Sequence, residues 1–290
     1  MPETGWKDFR FEGIGTSWEI STPRPLDPPL RRRLLGLVER FDADWSRFRA
    51  DSRVAALARD PGQYGFPTEA GPLGRLYRSL FEISGGAMTP LIGTSLERLG
   101  YDAGYSLQPS GSPEPAPAWD DVLEWTGTTL TTTAPVVLDI GAAGKGLLVD
   151  LLAAELEAAA VDAFIVDAGG DLLARGRAPV PVALEHPYNP AHAIGVVQLA
   201  DHALCASAAN RRAWGDGLHH VLDGTTGRPV QTAVATWAMA ETGMLADALA
   251  TALFFVPGTA LEHAFDFSWL VVFSDGSAAY SAGFEGTLFT

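Results

Sequence analysis

A carboxylate and a hydroxyl four residues apart, Asp247 and Thr251, stand in Ala246-Asp247-Ala248-Leu249-Ala250-Thr251. On a helix that spacing puts both on one face, aimed at one location. Hard oxygen donors of this kind suit Mg²⁺, which also accepts backbone carbonyls and ligand phosphates. The same two residues have a purely structural use. An Asp near a helix start complements the helix dipole, and a Thr can bond back to a carbonyl.

A second chemical segment is Asp139-Ile140-Gly141-Ala142-Ala143-Gly144-Lys145-Gly146. A strand that opens through glycines into a helix start exposes backbone amides and carbonyls where a phosphate or a metal can sit. The dinucleotide fingerprint Gly-x-Gly-x-x-Gly is not matched, because the glycines fall at 141, 144 and 146. Lys145 and Lys7 are the only lysines against eighteen arginines. A lysine inside this motif offers a compact point charge, although a surface or salt-bridge role fits the sequence equally. His219 and His220 are adjacent on a predicted strand and must face opposite sides of it, so one of them can enter a site.

These groups need elements to hold them. Residues 136–140 read as a buried strand, 146–160 as a helix, and 164–167 as a strand ending on a Gly-Gly turn. Residues 180–184, 194–199, 218–222, 233–240, 269–273 and 278–282 are further strand candidates, and Thr242 can cap a helix over 243–255. Asp223 opens a turn at 223–229. In the first half, 9–20 reads as a strand entering a turn at 13–15. Residues 29–41 and 74–84 have helical spacing, the latter stopping at Gly85-Gly86. Residues 46–52 are polar and turn-rich, and the Pro-rich stretch at about 107–118 reads as an exposed loop. Strands adjoin through turns as well as helices, which favours mixed α+β over a doubly wound parallel sheet.

Composition sets outer limits. With 290 residues, 47% of them hydrophobic, the chain can bury a sizeable core. A net charge of -15 argues against nucleic acid or an anionic membrane as partner and favours solubility. Cys205 is the only cysteine, which excludes an intramolecular disulfide and cysteine zinc clusters. The start Met1-Pro2-Glu3-Thr4 has no basic-then-apolar pattern and no cysteine to lipidate, so a cytoplasmic protein without membrane insertion is expected.

Three segments, Asp139 to Gly146, Asp167-Ala168-Gly169-Gly170-Asp171 and Ala246 to Thr251, follow in the order and spacing of the ApbE family, the FAD:protein FMN transferases. The chain resembles that family over nearly its whole length. The resemblance implies a single α+β domain over residues 1–290, with mixed, largely antiparallel sheets and packed helices. It also implies Mg²⁺-dependent transfer of FMN from FAD to a Thr or Ser hydroxyl of an acceptor flavoprotein, with release of AMP. Alternatives kept beside it are an Mg²⁺-dependent FAD pyrophosphatase and a non-catalytic FAD-binding module.

Carried over by resemblance, Asp247, Thr251 and the Gly144 carbonyl are metal ligands, with Asp247 the only charged one in an accessible cleft. His220-Val221-Leu222-Asp223-Gly224-Thr225-Thr226-Gly227 resembles the family's His-Ile-Ile-Asp-Pro-x-Thr-Gly. His220 is therefore the candidate base for the acceptor hydroxyl, with a pKa expected near working pH. Flavin contacts are implied at Ile14, Phe48, Ala87, Met88, Thr89, Gly141, Lys145 and Leu147. Four sites depart from the pattern: Phe48 replaces a stacking tyrosine, Thr89 an aspartate, Leu147 an aromatic, and Gly224 a proline.

Overall fold

The computed structural model describes residues 5–176 and 179–289. Its centre is an antiparallel sheet of eight strands whose spatial order is also their chain order. They are β1 (Lys7–Gly13), β2 (Thr16–Thr22), β3 (Phe164–Asp167), β4 (Leu172–Arg175), β5 (Ala203–Ala208), β6 (Ala233–Ala240), β7 (Ser268–Phe273) and β8 (Ala278–Tyr280). Each neighbouring pair runs antiparallel. The helices lie in the connections: α1 (Pro28–Trp45), α2 (Ala70–Ile83), α3 (Gly144–Ala158) and α4 (Gly243–Ala252).

The central strands are apolar almost throughout because both faces of the sheet are covered. Along β5, Ala203 and Cys205 join the core under the helices, while Leu204 points the other way. On β7, Trp269 and Val271 face the helices; Leu270 and Val272 face a second sheet built from Val180–His186, Asn189–Leu199 and Gly286–Leu288. The two-residue side-chain period of a strand thus feeds two cores.

Local chemistry sets the helix ends. Asp27 caps α1 by accepting from the Leu30 N–H, with Pro28 at the first position, and Leu30, Leu34, Val38, Phe41 and Trp45 form its buried stripe. Gly85 at φ +60° ends α2, with Gly85 N–H donating to Glu82 O and Gly86 N–H to Phe81 O. Two caps serve α4. Thr242 Oγ1 accepts from the Leu245 N–H, and the Asp150 carboxylate of α3 accepts from the Gly243 and Met244 N–H groups at 2.6 and 2.8 Å. Glycine is required where α3 meets α4, since a Cβ on Gly146 would lie 2.0 Å from Gly243 O.

Two local expectations are corrected. Residues 136–140 form no strand: the Asp139 N–H donates to Pro90 O, and no ladder forms on either side. Residues 218–222 split into two short pairings, Leu218–His219 with Ala213–Trp214 and Leu222–Asp223 with Arg228–Pro229. Within residues 9–20 the strand enters its turn at 13–15 as expected, and the chain returns as the β1–β2 hairpin, closed by Ile14 and Gly15 at φ +42° and +77°. Both loop residues are left-handed, the turn that matches strand twist, although a β-branched residue there carries strain. The Pro-rich stretch is largely exposed, as expected, and Ala116 and Glu114 pin it to Gly224 and Ser95.

Candidate functional site

A cavity of about 610 Å³ opens between the β1–β2 turn, the C-terminal end of α1 with the residues after it, the first turn of α3, and the ends of β5 and β6. That volume is within the range of small-molecule and cofactor pockets. Ile14, Phe48, Ala87, Met88, Thr89, Gly141, Gly144, Lys145, His220 and Thr251 all line it. The chain therefore brings together residues up to 237 positions apart (251 - 14). Strain at Ile14 falls on this wall, a common place for stored backbone strain.

Two residues singled out in the sequence do not line it. Leu147 is 5% exposed and belongs to the main core. It lies two positions beyond Lys145, about 200° round the helix, so when one faces the cavity the other faces the core. Asp247 is 1% exposed and lies behind Lys145 rather than in an accessible cleft. Its Oδ2 accepts from the Gly146 N–H at 2.9 Å and its Oδ1 from Lys145 Nζ at 3.4 Å. One turn on, Thr251 Oγ1 shares a hydrogen bond of 3.2 Å with Ser207 Oγ of β5.

Lys145 also meets Asp171, with Nζ 2.6 Å from Oδ2. Asp171 is 1% exposed, and its carboxylate has no aligned hydrogen-bond donor. Two buried carboxylates thus face one ammonium, a local excess of negative charge. Burial, opposed by Lys145 and reinforced by the charge of Asp171, pushes the Asp247 carboxyl above its ordinary value. Burial works against the charge of Lys145, but Asp171 and Asp247 outweigh it and raise its pKa. Two buried carboxylates that share one ammonium, with the Thr251 hydroxyl one turn from Asp247, fit a hard cation. Among the described residues no group of three or more His, Cys, Asp or Glu could hold a metal. A set of one carboxylate, one hydroxyl and one carbonyl does not need such a group.

The paired histidines separate as their adjacency requires. His219 Nε2 meets Val230 O at 2.8 Å while Nδ1 accepts from the Val221 N–H, so its role is structural. His220 turns to the cavity, and its Nδ1 has no partner. Its pKa is not near working pH: burial, then the charges of Arg212 and Lys145, lower it to about 3. It is a neutral imidazole. Asp223 is a turn residue whose Oδ1 accepts from the Thr225 N–H. Thr89 caps the short turn Pro90–Ile92 through a bond from the Leu91 N–H.

Arg47 and its surroundings went unnoticed in the sequence. Arg47 Nε donates to Asp139 Oδ2 at 2.6 Å and Nη1 donates to Tyr101 O at 2.8 Å. Burial would raise the Asp139 carboxyl, but Arg47 and the Gly141 N–H hold it below its ordinary value. The Arg47 guanidinium lies 4.1 Å from the Phe48 ring centre, and Arg212 Nη1 donates to the Tyr101 hydroxyl at 2.7 Å. No local signal marks Arg47, since its partner is 92 residues away. Asp171 had a signal, because it ends the Asp-Ala-Gly-Gly-Asp segment.

Fold and site together define a sheet-and-helix protein whose cleft is lined by the start of one helix and by Lys145 and Asp171, with Asp247 buried behind them. The chain belongs to the ApbE family, whose model matches residues 14–266. A Rhodobacter capsulatus protein named FAD:protein FMN transferase is 30% identical over 267 residues, covering 84% of this chain and 50% of its own length. The Treponema pallidum protein of the same name is 29% identical over 248 residues, covering 75% of this chain and 68% of its own. The chain thus spans half the length of the first relative and about two thirds of the second. Among solved structures, the ApbE protein of Thermotoga maritima superposes with a TM-score of 0.84 at 23% identity, covering 97% of this chain and 99% of that one. The flavin transferase ApbE of Vibrio cholerae gives 0.77 at 20% identity, covering 95% and 96%. These likenesses establish the antiparallel α+β fold. Among the described residues no helix is long and apolar enough to cross a membrane.

Proposed function

We propose that this chain transfers FMN from FAD to a Thr or Ser hydroxyl of an acceptor flavoprotein, with Mg²⁺ and with release of AMP. The observation that carries the reading is the Asp171–Lys145–Asp247 group at the start of α3, whose Lys145 and Asp171 line a cavity of about 610 Å³ with Asp247 behind them. Family membership and the relatives' shared name, FAD:protein FMN transferase, support the same reading.

Asp247, Thr251 and the Gly144 carbonyl are the residues that would hold Mg²⁺, which would supply charge neutralisation at the pyrophosphate. The protein's own groups do the rest. In the first turn of α3 the Gly144 N–H donates to Ile140 O and the Gly146 N–H to Asp247 Oδ2, which leaves the Lys145 N–H between them for a phosphate oxygen. Lys145 keeps its ammonium because both of its carboxylate partners stabilise it. His220 accepts the proton of the acceptor hydroxyl as the oxygen forms its bond to the FMN-side phosphorus. The bond to the AMP-side bridging oxygen breaks, and AMP leaves carrying that electron pair.

A base held at about 3 is weak, and the causes of its weakness show what strengthens it. Part of the depression comes from Arg212 and Lys145, and a bound diphosphate offsets both charges. The imidazole becomes a better base once substrate is in place. Most of the remaining rate enhancement comes from positioning and charge stabilisation.

The test is AMP release from FAD and Mg²⁺ with and without a flavoprotein acceptor. Transfer requires AMP to appear only with the acceptor. AMP and free FMN without an acceptor would mean hydrolysis, and FAD recovered intact under both conditions would mean a binding module.

A further inference from the structure

Phe48 stands where the family resemblance puts a ring that stacks on flavin, yet in this chain that ring is already engaged. The Arg47 guanidinium lies over it at 4.1 Å, and the Tyr105 ring stacks on it at 5.1 Å and 9°. Tyr101 closes the edge at 5.4 Å and 69°. Tyr101 is itself enclosed, with Trp214 stacked at 5.7 Å and Arg47 at 4.9 Å. Phe41, Trp45 and Trp237 also line the cavity but are buried, whereas Tyr105 lines it at 49% exposure. Phe48 stacks on one face of Tyr105, and about half of the residue stays exposed.

The backbone holds Tyr105 in that position. Tyr105 and Leu107 are left-handed at φ +49° and +52°, a conformation that non-glycine residues keep only when their surroundings fix it. Here they are fixed. The Tyr105 N–H donates to Asp102 O at 3.0 Å and the Leu107 N–H to Gly100 O at 2.8 Å. Asp102 Oδ1 accepts from the Gly104 and Ser106 N–H groups at 2.8 and 3.1 Å, and Oδ2 accepts from the Ser106 hydroxyl. The tyrosine hydroxyl reaches towards the β1–β2 turn, where a Cβ on Gly15 would lie 3.6 Å from it. Tyr105 therefore spans the cavity mouth from a pinned loop and is not a free lid.

We propose that Tyr105, backed by Phe48, is the ring on which the planar isoalloxazine of the flavin stacks in this chain. The inference rests on the reading of the cavity as an FAD site. A fixed aromatic face gives contact area at low ordering cost, and parallel ring contacts add attraction beyond burial.

The test is titration of the parent chain, Tyr105→Ala and Tyr105→Phe with FAD, without divalent cation so that no turnover intervenes. Flavin fluorescence quenching gives both Kd and stacking. Tyr105→Ala should bind about tenfold more weakly, the order expected for loss of one stacking ring, and with less quenching. Tyr105→Phe should match the parent. If Tyr105 merely covered Phe48, its removal would leave Kd unchanged or tighten it, and either result overturns the inference while the FAD reading stands. A Tyr105→Phe variant as weak as Tyr105→Ala overturns stacking in favour of the hydroxyl. A parent chain that binds no FAD overturns the inference and the FAD reading together.

Discussion

His220 makes the folded chain sensitive to acid in a way that can be calculated. Burial and neighbouring positive charge lower its pKa from 6.5 to about 3. The unfolded chain therefore takes up a proton that the folded chain refuses. This group's stability is fully present above pH 6.5 and is lost as the pH falls towards 3. At about 1.4 kcal/mol per pH unit, moving from about pH 7.5 to pH 5 costs about 2 kcal/mol through this one side chain. Replacing it as His220→Asn removes the titrating ring. The assay is urea unfolding of both proteins at the two pH values. Other groups that titrate there, His219 and Asp150 among them, are common to both and cancel. The parent should lose about 2 kcal/mol more than the variant. Equal losses would refute the claim that the imidazole is held neutral in the fold.

Asp247→Asn keeps an oxygen for the Gly146 N–H but removes the charge, so the Mg²⁺ concentration for half-maximal AMP release should rise at least about 10- to 100-fold; an unchanged Mg²⁺ titration would remove Asp247 from the metal site. Gly146→Ala should destabilise by about 1–3 kcal/mol in urea, because its Cβ would meet Gly243 O at 2.0 Å and Asp247 Cβ at 2.7 Å, and one of these is backbone that cannot turn aside. Arg47→Met leaves Asp139 charged and without its guanidinium, which should cost about 3–5 kcal/mol, and adding Asp139→Asn should recover part of that loss.

The elements that the sequence announced best are those whose pattern is local. The helical spacing over 29–41, Gly85-Gly86 after α2 and Thr242 before α4 are each signals carried within a few residues. The mixed α+β class was also legible, since turns link several strands directly, whereas the largely antiparallel sheets came from the family resemblance. Residues 136–140 misled because apolar β-branched composition says that a segment is buried, not that it finds a strand to pair with. That Asp247 and Thr251 lie one turn apart on a helix was legible from their spacing. Their surroundings were not, because the Lys145–Asp171 contact and the Arg47–Asp139 pair exist only once distant segments are packed. The same packing moved Asp247 out of an open cleft and moved the His220 pKa far below its ordinary value. Both effects depend on desolvation, which spacing does not encode.

The central claim is that the cavity moves FMN onto a protein hydroxyl, and intact-mass measurement of an acceptor flavoprotein incubated with this chain, FAD and Mg²⁺ tests it most directly. The account predicts that the acceptor gains one covalent FMN with one AMP released per transfer, and that replacing the acceptor's target Thr or Ser by Ala abolishes both. An acceptor of unchanged mass, with FAD intact or with FMN and AMP free in solution, would contradict it.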